Sequence, residues 1–244
     1  MKINIDHWLS GIFGYDVINV SLARDESPES EAIFSADSHL QRALYYTKVP
    51  VTSVTQVGAL TAAGFRVIDV NVTFERLPAP VLNADSSVTV RDIESKDRSA
   101  VLDIAGSSFV YSRFHLDPLI PKALADTVKR EWIANYIRGR RGERLLVAEL
   151  NGGPAGFLAL LVTSVPEKTG VIDLIGVDKH LQGRGIGRRL VEYHIQDSVG
   201  KYSRLIVGTQ IANIPSVNLY ARCGYHVTSS TYVLHAHVQE GKVI

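Results

Sequence analysis

Two hydrophobic periods alternate along the second half of the chain, and the switches between them mark out its elements. VTVRDI, residues 88–93, alternates apolar with polar and predicts a strand, and SKDRSAVLDIAGSSF, 95–109, predicts a helix. Residues 118–137 predict a second helix, opened by Pro118 and carrying Leu124, Val128, Trp132 and Ile133 at helical spacing. RLLVAEL, PAGFLALLVT and GVIDLIGV follow as three strands, with Asn151, Gly152 and Gly153 as a tight-turn signal between the first two. After a glycine-rich stretch, Ile186, Leu190 and Tyr193 share one helical face. SRLIVGTQ then reads as a strand, PSVNLYARCG as a helix closed by Gly224, and STYVLHAHV as a last strand whose free edge could mediate dimers. The order β-α-α-β-β-β-loop-α-β-α-β predicts an α/β domain on a mixed sheet.

The first half carries an echo of the end of the second. VTSVTQVGALTAAGFRVIDVNVTF aligns with ANIPSVNLYARCGYHVTSSTYVL so that Gly64 faces Gly224, Phe65 faces Tyr225, and Leu60 stands where the second copy has Tyr220. Each copy is a helix, a glycine-aromatic stop and an alternating strand, a combination also common by chance. LPAPVLNADS, 77–86, has the prolines and small polar residues of a linker. It divides a small α/β half-domain, residues 1–80, from a larger domain over 87–244.

Composition narrows the class. With 45% hydrophobic and 21% charged residues in 244, the chain is ordinary globular protein. A net charge of +1 gives no general attraction to nucleic acid or to anionic membranes. One cysteine, Cys223, excludes an internal disulfide and reads as a small packing residue. No apolar run reaches the roughly 18 residues of a membrane span. The opening MKINIDHWLSG lacks a signal-peptide core, so a cytoplasmic protein is expected.

The chemistry concentrates in LQGRGIGRRL, 181–190, between a strand and a helix. A dinucleotide fingerprint fails because Arg188 stands where the third glycine belongs, and a P-loop fails for want of the lysine and hydroxyl. A flexible turn needs one glycine, not three. An anion cradle remains: glycines let the backbone approach closely, and N–H groups at a helix start point toward phosphate.

Gln182-x-x-Gly185-x-Gly187 after a strand ending at Val177 resembles the pyrophosphate-binding motif of the GCN5-related N-acetyltransferases, the GNAT family. VIDLIGV before the loop and LIVGTQIANIPSVNLYARCGY after it are similar to that family's flanking elements in the same order, over about residues 87–238. The resemblance implies a GNAT fold with a mixed, mostly antiparallel sheet and acetyl-CoA as co-substrate. It implies cofactor contacts at Ile175, Gly176 and Val177, at Gln182, Gly183, Arg184, Gly185, Ile186, Gly187 and Arg188, and at Asn213, Ser216 and Tyr220. Tyr220 would protonate the leaving thiolate, or else be a packed core tyrosine. Asn213 would touch the cofactor, cap its helix before Pro215, or do both. A backbone N–H at or near Val177 would polarise the carbonyl.

The base has two candidates. Asp173 shares a strand with Val177, and simple alternation puts residues 173, 175 and 177 on one face. It would deprotonate the amine or serve only in a structural pair. His115 has an ordinary pKa near neutrality but sits in a predicted loop. His235 and His237 share a strand face, yet two ligands without a third make a poor metal site, so no metal is expected.

The acceptor follows from a narrower resemblance. YSRFHLDPLIPKALADTVKREWIANYIRGRRGERLLVAE and WLSGIFGYDV look like the dTDP-fucosamine acetyltransferases, with Ser10 and Gly11 in place of more acidic residues. That implies a nucleotide-activated amino sugar for surface polysaccharide, with Arg113, His115 and Arg141 as candidate substrate contacts and Arg138 and Arg140 nearby. A protein N-terminus or a small-molecule amine is the alternative acceptor, and a non-catalytic acetyl-CoA-binding regulator the alternative class.

Overall fold

A computed structural model describes residues 1–23, 26, 33–34, 41–81, 87–164 and 167–244. Part of the predicted linker, 82–86, lies outside the described residues. In chain order the elements are β1 (Lys2–Ile5), α1 (His7–Phe13), β2 (Asp16–Ser21), β3 (Arg42–Pro50), α2 (Val54–Ala62) and β4 (Arg66–Arg76). Then come β5 (Thr89–Asp92), a 3-10 turn (Ser95–Asp97), α3 (Arg98–Ala105), α4 (Arg113–Leu116) and α5 (Lys122–Ile137). They are followed by β6 (Arg144–Leu150), β7 (Gly153–Thr163), β8 (Thr169–Val177), α6 (Ile186–Asp197), β9 (Arg204–Gln210), α7 (Ile214–Arg222), β10 (His226–Gln239) and β11 (Lys242–Val243).

The strands form one sheet in the order β1-β2-β3-β10-β4-β9-β8-β7-β6-β5, with β11 pairing β10. Pairing is antiparallel except for β2–β3 and β8–β9. The predicted Asn-Gly turn joins β6 to β7, with φ 52° at Asn151 and 79° at Gly152, matching the twist of an antiparallel ribbon. β6 and β7 are buried on both faces. Leu146, Ala148, Leu158 and Leu160 pack toward α6 and α7, while Leu145, Val147, Phe157 and Ala159 pack toward α3 and α5. The sheet is thus a wall with helices on either side, and what passes through that wall matters for function.

The two halves of the chain share this sheet. β4, from the first half, lies between β10 and β9, and β10 reaches across to pair β3. Pro50 pairs Thr231 and Gln210 pairs Asn71, and a shift of 160 positions converts one pair into the other. The same shift relates Val51 N→Ser230 O (3.2 Å) to Ile211 N→Val70 O (2.8 Å). A local two-fold axis therefore passes where Asn71 pairs Thr231. Each copy exchanges its last strand with the other, and the division near residue 80 in sequence is no division in space.

Three expectations are corrected. STYVLHAHV is not an edge: Val233 to Val238 are all buried and β10 is paired on both sides, so it offers no free backbone to a second chain. The helix expected from Pro118 starts at Lys122, because Asp117 accepts from Leu119 N (2.9 Å) and folds Pro118 into a turn. The helix expected over 95–109 keeps its α geometry only over Arg98–Ala105.

Candidate active site

Parallel pairing of β8 with β9 covers only Thr169–Ile172 against Arg204–Val207. Beyond that, β8 continues to Val177 paired to β7, and β9 to Gln210 paired to β4. The strands part like a V and leave main-chain donors and acceptors on the facing edges, the template an extended ligand can complete. A register shift on β8 lies between Ile172 and Leu174, leaving Asp173 as the extra residue. This bulge breaks the alternation: Ile175 and Val177 pack toward α6 and α7, whereas Leu174 packs toward α3 and α5 and Asp173 bonds α5. Residues 173, 175 and 177 therefore do not share a face, contrary to expectation.

The glycine loop lies at the α6 and α7 side of the V. Gly183 and Gly185 have φ of 78° and 79°, where any side chain would strain the backbone, and Gly185 is the N-cap of α6. The first helix bond runs from Arg189 N to Gly185 O, leaving the N–H groups of Ile186, Gly187 and Arg188 without helical acceptors. A Cβ on Gly187 would lie 3.5 Å from Leu219 and 3.7 Å from Val177, so this turn is drawn against α7 and the open end of β8. Gln182 donates to Val177 O at 3.3 Å. Ile186 is core, and Arg188 pairs outward with Glu192 at 2.6 Å. Arg184 is exposed on the loop.

Asn213 caps α7, accepting from Ser216 N at 3.3 Å, with Pro215 in the first turn. Seven residues on from Asn213, Tyr220 is 2% exposed against Phe74 and Tyr225. Its hydroxyl has no hydrogen-bond partner among the described residues, and burial pushes its pKa up, so it stays a protonated, unspent donor. Cys223 packs beside it in the core, its thiol pushed by burial up to about 11.

Both candidate bases are already engaged. Asp173 accepts from Arg141 through both oxygens (2.7 and 2.8 Å), from Trp132 Nε1 (2.7 Å) and from Tyr136 (2.7 Å). Burial alone would raise its pKa, but these donors outweigh burial and hold it below the usual carboxylate range. His115 sits between Ser112 Oγ (2.6 Å) and Asp126 (3.0 Å), and burial lowers its pKa despite Asp126. A carboxylate saturated with donors and an imidazole with both nitrogens occupied are poor proton acceptors. Arg141 is likewise committed to Asp173, and Arg138 pairs with Glu131. Arg113 lies over the rings of Tyr46 (3.9 Å) and Phe114 (4.4 Å) and makes no ion pair among the described residues.

Several residues escaped the sequence reading. Asp117 brings His235 and His237 together: its Oδ2 accepts from His235 Nδ1 (2.6 Å) and His237 Nε2 (2.8 Å). This is the third group that the histidine pair lacked, and the three lie within 4.8 Å of one another. Asp69 on β4 is 7% exposed with Oδ2 unmatched, and burial raises its pKa. Lys129 projects from the apolar face of α5 between Phe109 and Trp132. A lysine four residues after Ala125 and four before Ile133, both buried, was the available signal.

Comparison with known proteins agrees with this geometry. Residues 108–225 match the model of the Acetyltransferase (GNAT) family. The chain is 30% identical over 143 residues to the spore coat polysaccharide biosynthesis protein SpsD of Bacillus subtilis, covering 58% of this chain and 48% of that protein. It is 25% identical to the dTDP-fucosamine acetyltransferase of Escherichia coli, covering 93% and 95%. A tandem GNAT protein from the clavulanic acid biosynthesis pathway shares the fold at a TM-score of 0.59 and 12% identity, over 91% of this chain and 75% of that one. The fold is that of the GNAT acetyltransferases.

Proposed function

We propose that this chain is an acetyl-CoA-dependent N-acetyltransferase whose acceptor is the amine of a nucleotide-linked amino sugar used in surface polysaccharide. One observation carries the acetyltransferase reading: a glycine cradle opens beside the parting of β8 from β9, and Tyr220, with an unspent hydroxyl, packs its ring on Phe74, which pairs Val207 of β9 where that parting begins. The residues fit acetyl-CoA. Gly183 and Gly185 keep the loop open to a pyrophosphate, and the N–H groups of Ile186 to Arg188 face it with the positive end of the α6 dipole. The facing edges of β8 and β9 suit the amide-containing pantetheine arm, with Ile175, Gly176 and Val177 supplying main-chain bonds. An N–H at the open end of β8 would stabilise the oxyanion as the amine adds to the carbonyl. Tyr220 would give its proton to the departing thiolate as the C–S bond breaks, and the proton lost from the acylated nitrogen would return to its phenolate through solvent. The raised pKa keeps the hydroxyl protonated until then. Asn213 and Ser216 shape the start of α7 beside the same slot.

We read Asp173 as a clamp rather than a base. It ties β8 to α5 through Trp132 and Tyr136, and to the turn after α5 through Arg141, and so shapes the acceptor side of the sheet. The sugar reading is supported by the names of the two relatives, both concerned with carbohydrate. No helix among the described residues is long and apolar enough to cross a membrane.

The test is thiol release from acetyl-CoA with dTDP-4-amino-4,6-dideoxyhexoses, with a peptide and an aminoglycoside in parallel. Sugar-dependent release that collapses in Tyr220→Phe supports acceptor and acid together. Release with peptide or aminoglycoside alone sinks the sugar reading and keeps the acetyltransferase.

A further inference from the structure

Lys48, Arg113 and Lys129 come together from β3, α4 and α5. Arg113 lies 3.9 Å over the ring of Tyr46, and Lys48 is two residues on along the same face of β3. That face packs with Phe114 of α4 and with Val128 and Trp132 on either side of Lys129, so that the three charges repel one another. None makes an ion pair among the described residues. Lys129 is 9% exposed and its ammonium has no hydrogen-bond partner there. Its contacts are the rings of Phe109 and Trp132, 5.3 and 5.2 Å from the ring centres. Those rings offset part of the charge but accept none of its three N–H bonds well. Asp173 lies within electrostatic reach but gives all its bonds to Arg141, Trp132 and Tyr136. Folding therefore gathers three cations with only partial compensation. Asp6 and Asp117 act on Arg113, whose Nη1 meets His235 Nε2 at 3.3 Å, and Asp173 acts on Lys129. None of these carboxylates forms an ion pair with the cluster among the described residues, which leaves it suited to an added anion.

The cluster's position identifies whose anion this is. The glycine loop, where coenzyme A phosphates would sit, belongs to the α6 side of the sheet. Lys129 and Arg113 come from helices on the opposite side, next to Trp132 and the Asp173 bulge. A second cationic site across the sheet from the first belongs to the acceptor.

We propose that Lys48, Arg113 and Lys129 form an anion subsite that holds the diphosphate of the acceptor, placing its sugar amine toward the parting of β8 and β9. This rests on the acetyltransferase reading and gives its acceptor a charge. Arg113 supplies a planar fork held by Tyr46 and Phe114, Lys129 a fixed point charge at the back, and Lys48 an exposed one at the rim.

The experiment titrates the full chain, saturated with coenzyme A to fill the other face, with inorganic pyrophosphate and separately with thymidine diphosphate. Wild type, Lys129→Met, Lys48→Met and the distant, exposed Lys96→Met are compared. We expect each cluster variant to weaken both anions by roughly tenfold. Lys96→Met should change neither, and coenzyme A affinity should hold throughout. Binding of thymidine diphosphate but not pyrophosphate would mean that the base supplies the affinity, and unchanged binding in Lys48→Met and Lys129→Met would overturn the subsite. If Lys129→Met does not fold, the rim residue Lys48 decides the outcome alone. Turnover separates this inference from the sugar reading. Acetylation of the nucleotide sugar with KM unmoved in both variants removes the subsite and keeps the reading. Lysine-dependent pyrophosphate binding without sugar turnover does the reverse.

Discussion

Leu60 and Tyr220 occupy equivalent places in two copies of one unit, 160 positions apart. Both are buried, at 0% and 2% exposure, and each main-chain carbonyl accepts from the glycine-aromatic stop that follows, Phe65 N at 2.9 Å and Tyr225 N at 3.0 Å. The backbone treats them alike, and only one has a hydroxyl.

That contrast separates catalysis from packing. Tyr220→Phe deletes a hydroxyl with no partner among the described residues, so the melting temperature should stay within a few degrees while kcat falls about 10²–10⁴-fold. Leu60→Ala should instead cost about 2–5 kcal/mol in denaturant unfolding with kcat per folded molecule unchanged. Equal turnover in Tyr220→Phe and wild type would return Tyr220 to the core.

Asp173→Asn should lower stability by about 2 kcal/mol, less than for a wholly buried pair because the Arg141 side chain is 36% exposed. The sign of its pH dependence follows from a folded pKa below the unfolded value. Its contribution is complete above the ordinary aspartate pKa near 4 and is lost as pH falls through the lower folded value. If Asp173 were the base, the variant would instead abolish the ascending acid limb of kcat/KM at unchanged stability.

His194 is 1% exposed, its Nε2 has no partner among the described residues, and burial lowers its pKa to about 4. The unfolded chain takes up this proton near pH 6.5 and the folded chain does not. Stability should therefore fall between pH 6.5 and about 4, by about 1.4 kcal/mol per pH unit for each such group. His235, also at about 4, adds a second. His194→Leu should flatten the urea-midpoint profile over that window, and an unchanged profile would contradict the buried neutral imidazole.

Burial, with repulsion from Arg113 and Lys48 and partial relief from Asp173, lowers Lys129 to about 8. Pyrophosphate affinity should then decline from pH 7 to 9, well below the range where an ordinary lysine titrates. His115 also faces Lys129 but should already be neutral across this range. Lys129→Arg should keep the affinity and lose the decline, a result that a purely structural lysine would not produce.

Gly185→Ala forces a Cβ onto a φ of 79° at the mouth of the cradle. We expect about 1–2 kcal/mol of strain and a weakened acetyl-CoA KM. An unaltered KM would move the cofactor elsewhere.

What the sequence by itself determined is whatever local chemistry controls. The hydrophobic period placed β6 to β10 and α6 and α7, the Asn-Gly pair bent its hairpin, and two glycines before α6 with a third in its first turn marked the cradle. Even the echo between residues 51–74 and 212–234 is a local pattern written twice. The tertiary structure alone decided the rest, because each case depends on partners far away in the chain. β4 enters the sheet between β10 and β9 only because two half-sheets close on each other about an axis at Asn71 and Thr231. One extra residue turned Asp173 from the cofactor side toward Trp132, Tyr136 and Arg141, and alternation cannot reveal a bulge before the pairing exists. Lys48, Arg113 and Lys129 look like unrelated surface charges in the sequence. They become one site because α4 and α5 pack over the face of the sheet that β3 presents, and the nearby carboxylates compensate their charge only in part.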